Sequence, residues 1–124
     1  MKSRAVKAIE REIARSEIRG VLKFYIHVKT TITYMTLAAT FGMFSGGSEL
    51  SGILGEIQEE DDADGQPLKS SLVVGTNSGM PGKGYFAHAR DKLKRNIPQT
   101  PQGEWDFWAA ELGKMGITPN APRP

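Results

Sequence analysis

The chain has 124 residues, the size of one domain that can bury its own core. It has no cysteine, which excludes disulfides, a thiolate nucleophile and cysteine-bound zinc. No apolar run reaches the roughly 18 residues of a membrane span, and the charged N-terminus lacks the apolar core of a secretory signal. We therefore expect a cytoplasmic protein with no membrane partner.

The net charge of +2 hides an uneven distribution of charge along the chain. Residues 1–29 carry eight basic and three acidic side chains, residues 30–68 carry seven acidic and no basic ones, and residues 69–124 carry eight basic and four acidic ones. Two interpretations are open. The charged segments either contact charged partners, or they compensate one another within the fold.

The first third of the chain predicts a long helix, a brief strand and a short helix. Apolar residues at helical spacing predict the long helix over residues 3–28. A basic stripe recurs along this helix every four residues and consists of Lys7, Arg11, Arg15, Arg19 and Lys23. The β-branched residues 30–33 predict the strand, and Thr33 is the predicted N-cap of a helix over residues 34–41 that ends at Gly42.

The middle of the chain predicts a helix, a strand and a glycine-rich loop. A turn at residues 45–47 leads to Ser48, the predicted N-cap of a helix with apolar residues at positions 50, 53, 54 and 57. That helix ends in an acidic run at residues 59–62, which opposes the helix dipole unless the acids face cations. Residues 68–74 predict a strand, and residues 75–84 predict a loop or hairpin tip.

The last third of the chain predicts two helices and a tail. Residues 85–93 predict a helix with basic residues at its end, and a proline-containing linker covers residues 96–101. Thr100 and Pro101 predict the start of a last helix. Its apolar face, which we expect in the core, consists of Trp105, Trp108, Leu112 and Met115. We expect one domain over residues 1–117 and a loosely ordered tail over residues 118–124.

The predicted elements follow one another in the order of a winged helix-turn-helix. The segment T-I-T-Y-M-T-L-A at residues 31–38 resembles the T-Y-x-x-L-A opening of the DNA-binding domain of alkylguanine alkyltransferases and alkyltransferase-like proteins. This resemblance covers about residues 30–86. The order of the elements predicts an α+β fold with a winged helix-turn-helix-like core and extra N- and C-terminal helices, and the resemblance implies DNA as the partner. It also implies that Tyr34 lies beside a flipped nucleotide.

Two departures from that family concern its chemistry. Where the family has Pro-Cys-His-Arg with an alkyl-accepting cysteine, this chain has Pro67 followed by L-K-S-S. Ser51 stands near the position of the arginine that displaces the base. Alkyl transfer is therefore excluded.

A closer resemblance is to a group of uncharacterised small bacterial and phage-encoded proteins. The shared patterns are L-G-E-I at residues 54–57, G-Q-P-L at 65–68, S-L-V-V at 71–74, G-M-P-G-K-G-Y-F at 79–86 and F-W at 107–108. This resemblance implies no particular activity. We therefore expect a protein of bacterial or phage type whose function has to be argued from its residues.

A non-enzymatic binding domain is the leading functional expectation, most simply one that binds DNA. The helix at the recognition position is acidic and would repel phosphates, so the contacts would come from the wing and from the basic end of the following helix. The expected nucleic-acid-binding residues are Tyr34, Lys69, Lys83, Arg90, Lys92, Lys94 and Arg95. The last five are expected to form one exposed basic patch.

Two alternatives remain open. The first is a protein-interaction module in which an acidic helix attracts a basic partner through Glu56, Glu59, Glu60, Asp61 and Asp62. The second is a small enzyme of unknown type built on Glu56, the pair Ser70 and Ser71, and the glycine loop. No matched acid, base and nucleophile is visible, the glycine loop fails the Walker pattern, and the acids do not have EF-hand spacing. No catalytic residue, metal ligand or cofactor is therefore predicted, and the oligomeric state is left open.

Overall fold

The protein is described by a computed structural model that covers residues 3–43 and 47–124. Its elements in chain order are α1 (Arg4–His27), β1 (Ile32–Thr33), α2 (Tyr34–Thr40), α3 (Ser48–Ala63), a 3-10 helix (Lys69–Leu72), β2 (Val73–Val74), α4 (Lys83–Asp91) and α5 (Pro101–Lys114). The helix bounds lie within a few residues of the predicted ones. Ser45 and Gly46 of the predicted turn lie outside the described residues.

Side-chain caps fix the starts of two helices where the sequence predicts them. Oγ1 of Thr33 accepts a hydrogen bond from the backbone N–H of Thr36 at 3.1 Å, and Oγ1 of Thr100 accepts one from the N–H of Gly103 at 3.0 Å. Each bond satisfies a backbone donor that the start of a helix leaves unpaired. Both predicted caps are confirmed, whereas the predicted cap Ser48 is instead the first residue of α3.

The core lies where α1, α3 and α5 pack around the 3-10 helix. Its fully buried side chains include Ile18, Leu22, Ile53, Ile57, Trp108 and Leu112. The indole Nε1 of Trp108 donates a hydrogen bond to the carbonyl oxygen of Ser71 at 2.9 Å. The expectation that α5 packs into the core is therefore confirmed.

The segment after α5 contacts this core. Ala121 is buried, and its carbonyl oxygen accepts a hydrogen bond from Nε1 of Trp105 at 2.9 Å. Nε of Arg123 lies 2.8 Å from Oδ1 of Asp106. These contacts involve part of the segment that the sequence predicts to be loosely ordered.

An ion-pair ladder joins α1 to α3. Its members are Arg11, Arg15 and Arg19 on α1 and Glu56, Glu60 and Asp61 on α3, with N···O distances of 3.1–3.2 Å. Arg15 and Arg19 each contact two carboxylates, although Nη2 of Arg19 lies near Glu60 without hydrogen-bond geometry. Internal compensation of charge is confirmed for this part of the chain, and the acids at the end of α3 do face cations.

The predicted α+β fold with a winged helix-turn-helix-like core is wrong. Within the described residues the structure has five α-helices and one sheet of two strands, each two residues long, so the fold is essentially all-helical. β2 pairs with β1 in parallel, with Val73 opposite Ile32, whereas a wing needs an antiparallel hairpin. A turn closed by the N–H of Gly75 and the carbonyl oxygen of Met80 at 2.8 Å then leads the chain into α4 rather than into a wing strand.

Long-range side chains explain why the 3-10 helix replaces most of the predicted strand at residues 68–74. The N–H of Leu68 donates to Oε1 of Glu111 at 3.0 Å, and the N–H of Lys69 donates to Oδ2 of Asp61 at 3.0 Å. Both carboxylates are buried. They satisfy backbone donors that a neighbouring strand would otherwise pair, so the chain can curl into a 3-10 turn at this point.

Candidate functional site

A cavity of about 380 Å³ lies between α2, α3, the 3-10 helix and α4. Small-molecule sites usually have volumes of roughly 300–1,000 Å³. α3 lines one side with residues between Ser48 and Gln58, and α4 lines the other with Gly84, Tyr85 and His88. Tyr34 from α2 and Ser70 from the 3-10 helix complete the wall. None of these described lining residues is Asp, Glu, Lys or Arg.

Helical spacing brings the α3 side of the cavity together. Ser48, Ser51, Gly55 and Gln58 are three or four residues apart and therefore lie on one face of the helix. Gly55 lets α4 come close, because a Cβ at this position would lie 3.3 Å from Cε1 of His88. The imidazole can therefore lie against the backbone of α3 at the cavity wall.

Buried polar atoms of Gln58 and Ser70 at the cavity have no hydrogen-bond partner within the described part of the chain. They are Nε2 and Oε1 of Gln58 and Oγ of Ser70. The Gln58 side chain is 1% exposed and Ser70 is 5% exposed. A buried polar group without a partner typically costs about 1–3 kcal/mol. Bound water or a ligand in the cavity would remove that cost.

The cavity also contains one unpartnered imidazole nitrogen. Nε2 of His88 has no hydrogen bond within the described residues, and its nearest acid is Glu59, whose Oε2 lies 3.7 Å away. This distance exceeds that of a hydrogen bond. The imidazole is therefore available to a molecule in the cavity, either as donor or as acceptor.

The two tyrosines of the cavity wall are held at their hydroxyl groups. The hydroxyl of Tyr85 lies 2.5 Å from Oγ of Ser71, and the hydroxyl oxygen of Tyr34 accepts from the backbone N–H of Gly82. Burial raises the pKa of both phenols above the ordinary value, although these hydrogen bonds act in the opposite direction. Both tyrosines therefore present neutral aromatic rings to the cavity at neutral pH.

Three of the expected nucleic-acid-binding residues form ion pairs within the chain. Nη2 of Arg90 lies 2.8 Å from Oε2 of Glu104, and Nη2 of Arg95 lies 2.8 Å from Oδ1 of Asp62. Nζ of Lys69 lies 3.0 Å from Oδ1 of Asp61, an acid of the ion-pair ladder. The side chains of Arg90 and Arg95 are only 18% and 30% exposed. The prediction of one exposed basic patch is therefore wrong for these two arginines.

The other four expected nucleic-acid-binding residues lie in two places. Lys83, Lys92 and Lys94 are exposed, the first at the start of α4 and the other two just after its end. Tyr34 is instead part of the cavity wall. Of the three lysines, Lys83 is the one that directly adjoins a lining residue in the sequence, Gly84.

Four of the five acids expected to bind a protein partner form ion pairs with Lys or Arg of their own chain, and the fifth, Glu59, lies 3.7 Å from Nε2 of His88 without a hydrogen bond. The five acids are Glu56, Glu59, Glu60, Asp61 and Asp62. Three of them belong to the ion-pair ladder, and Asp62 pairs with Arg95. A basic partner would have to displace these intramolecular contacts.

The residues of the alternative enzyme site do not come together. Glu56 belongs to the ion-pair ladder and does not line the cavity, and Oγ of Ser71 is bonded to Tyr85. Of this set, Ser70 and Gly84 of the glycine loop line the cavity, and Ser70 has no base in hydrogen-bond contact within the described residues. Within the described ranges, no group of three or more His, Asp or Glu side chains could hold a metal ion.

Gln58 is the cavity residue that the sequence did not single out. Its signal in the sequence is a polar side chain placed among the apolar positions of α3, directly after Ile57 and four residues after Leu54. A polar residue at a core position needs a partner, whether inside the protein or bound to it. That expectation could have marked Gln58 before the structure was known.

Comparisons with protein-family models, with curated proteins and with solved structures gave no match. The resemblances to alkyltransferases and to small bacterial and phage proteins therefore stay predictions. The structure adds one finding on partners: no helix in residues 3–43 and 47–124 is long and apolar enough to cross a membrane.

Proposed function

We propose that this chain is a non-enzymatic binding domain for a small, neutral, planar molecule with an amide-like edge, which occupies the cavity between α2, α3 and α4. The observation that carries the proposal is Gln58. Its side chain is almost fully buried, it lines the cavity, and neither amide atom has a partner within the described residues.

The chemistry of a carboxamide supports an amide-like edge on the ligand. Gln58 offers donors on Nε2 beside an acceptor on Oε1. A ligand that carries an acceptor next to a donor, as carboxamides and ring lactams do, would satisfy both atoms at once. The hydroxyl of Ser70 and Nε2 of His88 would serve further polar atoms of the same molecule.

The cavity wall supports a neutral and planar ligand. An ionised ligand buried in this cavity would find no opposite charge among Asp, Glu, Lys and Arg side chains, and burying an unpaired charge is costly. The rings of Tyr34, Tyr85 and His88 offer flat surfaces, against which a ring packs well. Leu54 adds apolar surface to the same wall.

Calorimetric titration with two molecules of the same shape tests this proposal. Nicotinamide carries a neutral amide edge, and nicotinate replaces it with a carboxylate. We expect nicotinamide to bind and nicotinate to bind at least tenfold more weakly. The Gln58→Leu variant should lose nicotinamide binding, and the Gln102→Leu variant, changed at an exposed glutamine of α5, should keep it.

Two results would contradict the proposal. One is equal or tighter binding of nicotinate, which would mean that the cavity selects an anion. The other is nicotinamide binding that survives in the Gln58→Leu variant, which would place the bound molecule elsewhere. If nicotinamide itself does not bind, uracil, benzamide and 2-pyridone are titrated as further neutral probes. The absence of binding by all four neutral probes would refute an amide-selective cavity.

DNA binding is a second candidate, favoured by the exposure of Lys83, Lys92 and Lys94 around α4. Three phosphate contacts would give a log–log salt slope of about −3, since each contact contributes roughly −0.9. Replacing these three lysines by Gln should remove that slope. The matched control replaces three exposed basic residues of α1, namely Arg4, Lys7 and Lys23. Equal loss of binding in both triple variants would indicate unspecific attraction rather than a site at α4.

A further inference from the structure

Exposed large apolar side chains are concentrated on α1. Those in the described part of the chain are Val6, Ile9, Ile13, Phe24, Val28 and Met35, and all except Met35 belong to α1 or to its C-cap. At 3.6 residues per turn, Val6, Ile9, Ile13 and Phe24 fall within an arc of about 60°. This apolar stripe lies opposite the face that buries Ile18 and Leu22 in the core.

Gly20 lies in the same arc and has no role in the packing of its own chain. Within the described residues, no atom outside the adjoining backbone of α1 lies within 4 Å of the position that a Cβ would occupy, and Gly20 is not among the glycines with positive φ. Glycine inside a helix is less favourable than alanine by about 1 kcal/mol. Gly20 therefore leaves an open notch in the apolar stripe, at a position where the fold itself would accept a larger residue.

We propose that α1 pairs in antiparallel orientation with α1 of a second copy of this chain. A dyad between Ser16 and Glu17 places Ile13 of one copy opposite the Gly20 notch of the other, so a large side chain meets a small one. The same register places Ile9 opposite Phe24 of the second copy. Both pairs occur twice by symmetry, which is the self-complementarity that a two-fold interface requires.

Charge on one flank of the stripe supports a second copy as the occupant. Glu12 and Lys23 lie on the same flank, and the antiparallel register brings Glu12 of one copy near Lys23 of the other, twice per dimer. The opposite flank carries Glu10 and Glu17, and the same dyad sets Glu17 of both copies side by side, a like-charge contact that weakens the dimer. These acids would repel an anionic lipid surface, which disfavours a membrane as the occupant.

The size of the stripe fits a weak and reversible dimer. From Val6 to Phe24 the contact is about 27 Å long at 1.5 Å per residue, and one helix is about 10 Å wide. Two such strips with interdigitating side chains bury on the order of 1,000 Å², which lies at the lower limit for a specific interface. We therefore expect dissociation in the micromolar range rather than an obligate dimer.

Sedimentation equilibrium of the full chain tests the dimer from low micromolar to near-millimolar concentration. We expect a monomer–dimer equilibrium. The Ile13→Lys variant should raise the dissociation constant of the dimer at least tenfold. Met35→Lys, at an exposed apolar residue outside α1, is the matched control and should leave the equilibrium unchanged. A monomer at every concentration would overturn the proposal, as would a dimer that survives Ile13→Lys and weakens with Met35→Lys.

Two further variants test the register. Gly20→Leu should raise the melting temperature of the dilute monomer, because leucine is the better helix former, and should weaken the dimer, because the notch is filled. Glu12→Lys and Lys23→Glu should each weaken the dimer, and the double exchange should restore it. A Gly20→Leu variant that dimerises more tightly, or a double exchange that restores nothing, would overturn the antiparallel register.

Because the chain has no cysteine, one introduced thiol reports on the dyad. Ser16→Cys should form a disulfide between copies under mild oxidation, whereas Ser78→Cys in the exposed loop before α4 should not. Equal crosslinking of both variants would contradict a dyad at this position. The readout is the fraction of dimer on a non-reducing gel, and it requires no knowledge of the ligand in the cavity.

Discussion

Replacing Gln58 by leucine should make the protein more stable while it abolishes binding in the cavity. The two side chains have similar volumes, so the exchange keeps the packing of α3 nearly unchanged. In the ligand-free protein, Gln58 buries two amide atoms that have no partner within the described residues. Leucine removes that cost, which typically amounts to about 1–3 kcal/mol.

The expected gain in the free energy of unfolding is about 1–3 kcal/mol, the cost of one such group rather than of two, because water that enters the open cavity would offset part of the penalty. For a domain of this size, 1 kcal/mol corresponds to a rise in melting temperature of roughly 3–5 °C. Urea denaturation measures the gain directly and should show a higher midpoint with an unchanged slope. Gln102→Leu, at an exposed position, should stay within about 0.5 kcal/mol of the original protein.

A loss of stability in the Gln58→Leu variant would refute this reasoning. It would mean that the carboxamide makes hydrogen bonds on which the fold depends, with ordered water or with groups that move towards it. A gain in stability together with unchanged binding of nicotinamide would leave the energetic argument intact and remove Gln58 from the binding site. Only a gain in stability combined with a loss of binding supports both the energetic argument and the assignment of Gln58 to the binding site.

The remaining predictions concern the core, the buried tyrosine and the ion-pair ladder. Trp108→Ala should cost about 3–5 kcal/mol in urea denaturation, and the half-buried Trp105→Ala should cost clearly less. Burial raises the pKa of the Tyr85 phenol in the folded protein above that in the unfolded chain. Below pH 10 the phenol is protonated in both states, so the stabilisation by the buried phenol is fully present. Above pH 10 the unfolded phenol ionises, and stability should fall by about 1.4 kcal/mol per pH unit, a fall that Tyr85→Phe should reduce in alkaline denaturation. Asp61→Asn should lower the melting temperature more than Glu60→Gln, because Asp61 is buried and serves the 3-10 helix as well as the ladder, and equal effects would contradict that role.

Local signals in the sequence predict the helices well and the strand segment badly. Thr33 and Thr100 mark helix starts because a cap acts within three residues of itself, so neighbouring residues carry the whole signal. The pattern at residues 68–72 predicts a strand, but the first two backbone N–H groups of this segment donate to Glu111 and Asp61. Glu111 lies more than forty positions along the chain, so no local pattern could reveal it.

The candidate site was predictable only in part for a related reason. The resemblance to alkyltransferases predicts a nucleotide beside Tyr34, and the structure places Tyr34 in a cavity wall. The clustering of basic residues at the end of a helix predicts that Arg90 and Arg95 are exposed, but this pattern does not show which acids lie opposite them. The sequence can mark Gln58 as a polar residue among the apolar positions of α3, but it does not show that the carboxamide lacks a partner. That information comes from the packing of α4 and the 3-10 helix.

The parallel pairing of β1 with β2 also constrains how the chain folds. This strand pairing joins Ile32 to Val73, so it closes a loop that contains all of α2 and α3. The entropy lost in closing a loop grows with the length of the loop. This loss opposes the pairing before the two strands make any favourable contact. Helices form from neighbouring residues within about a microsecond, whereas contacts between distant segments set the slower rate at which a domain folds. We expect the β1–β2 register to form late, after α3 has docked on α1, so that substitutions at Val73 accelerate unfolding more than they retard folding.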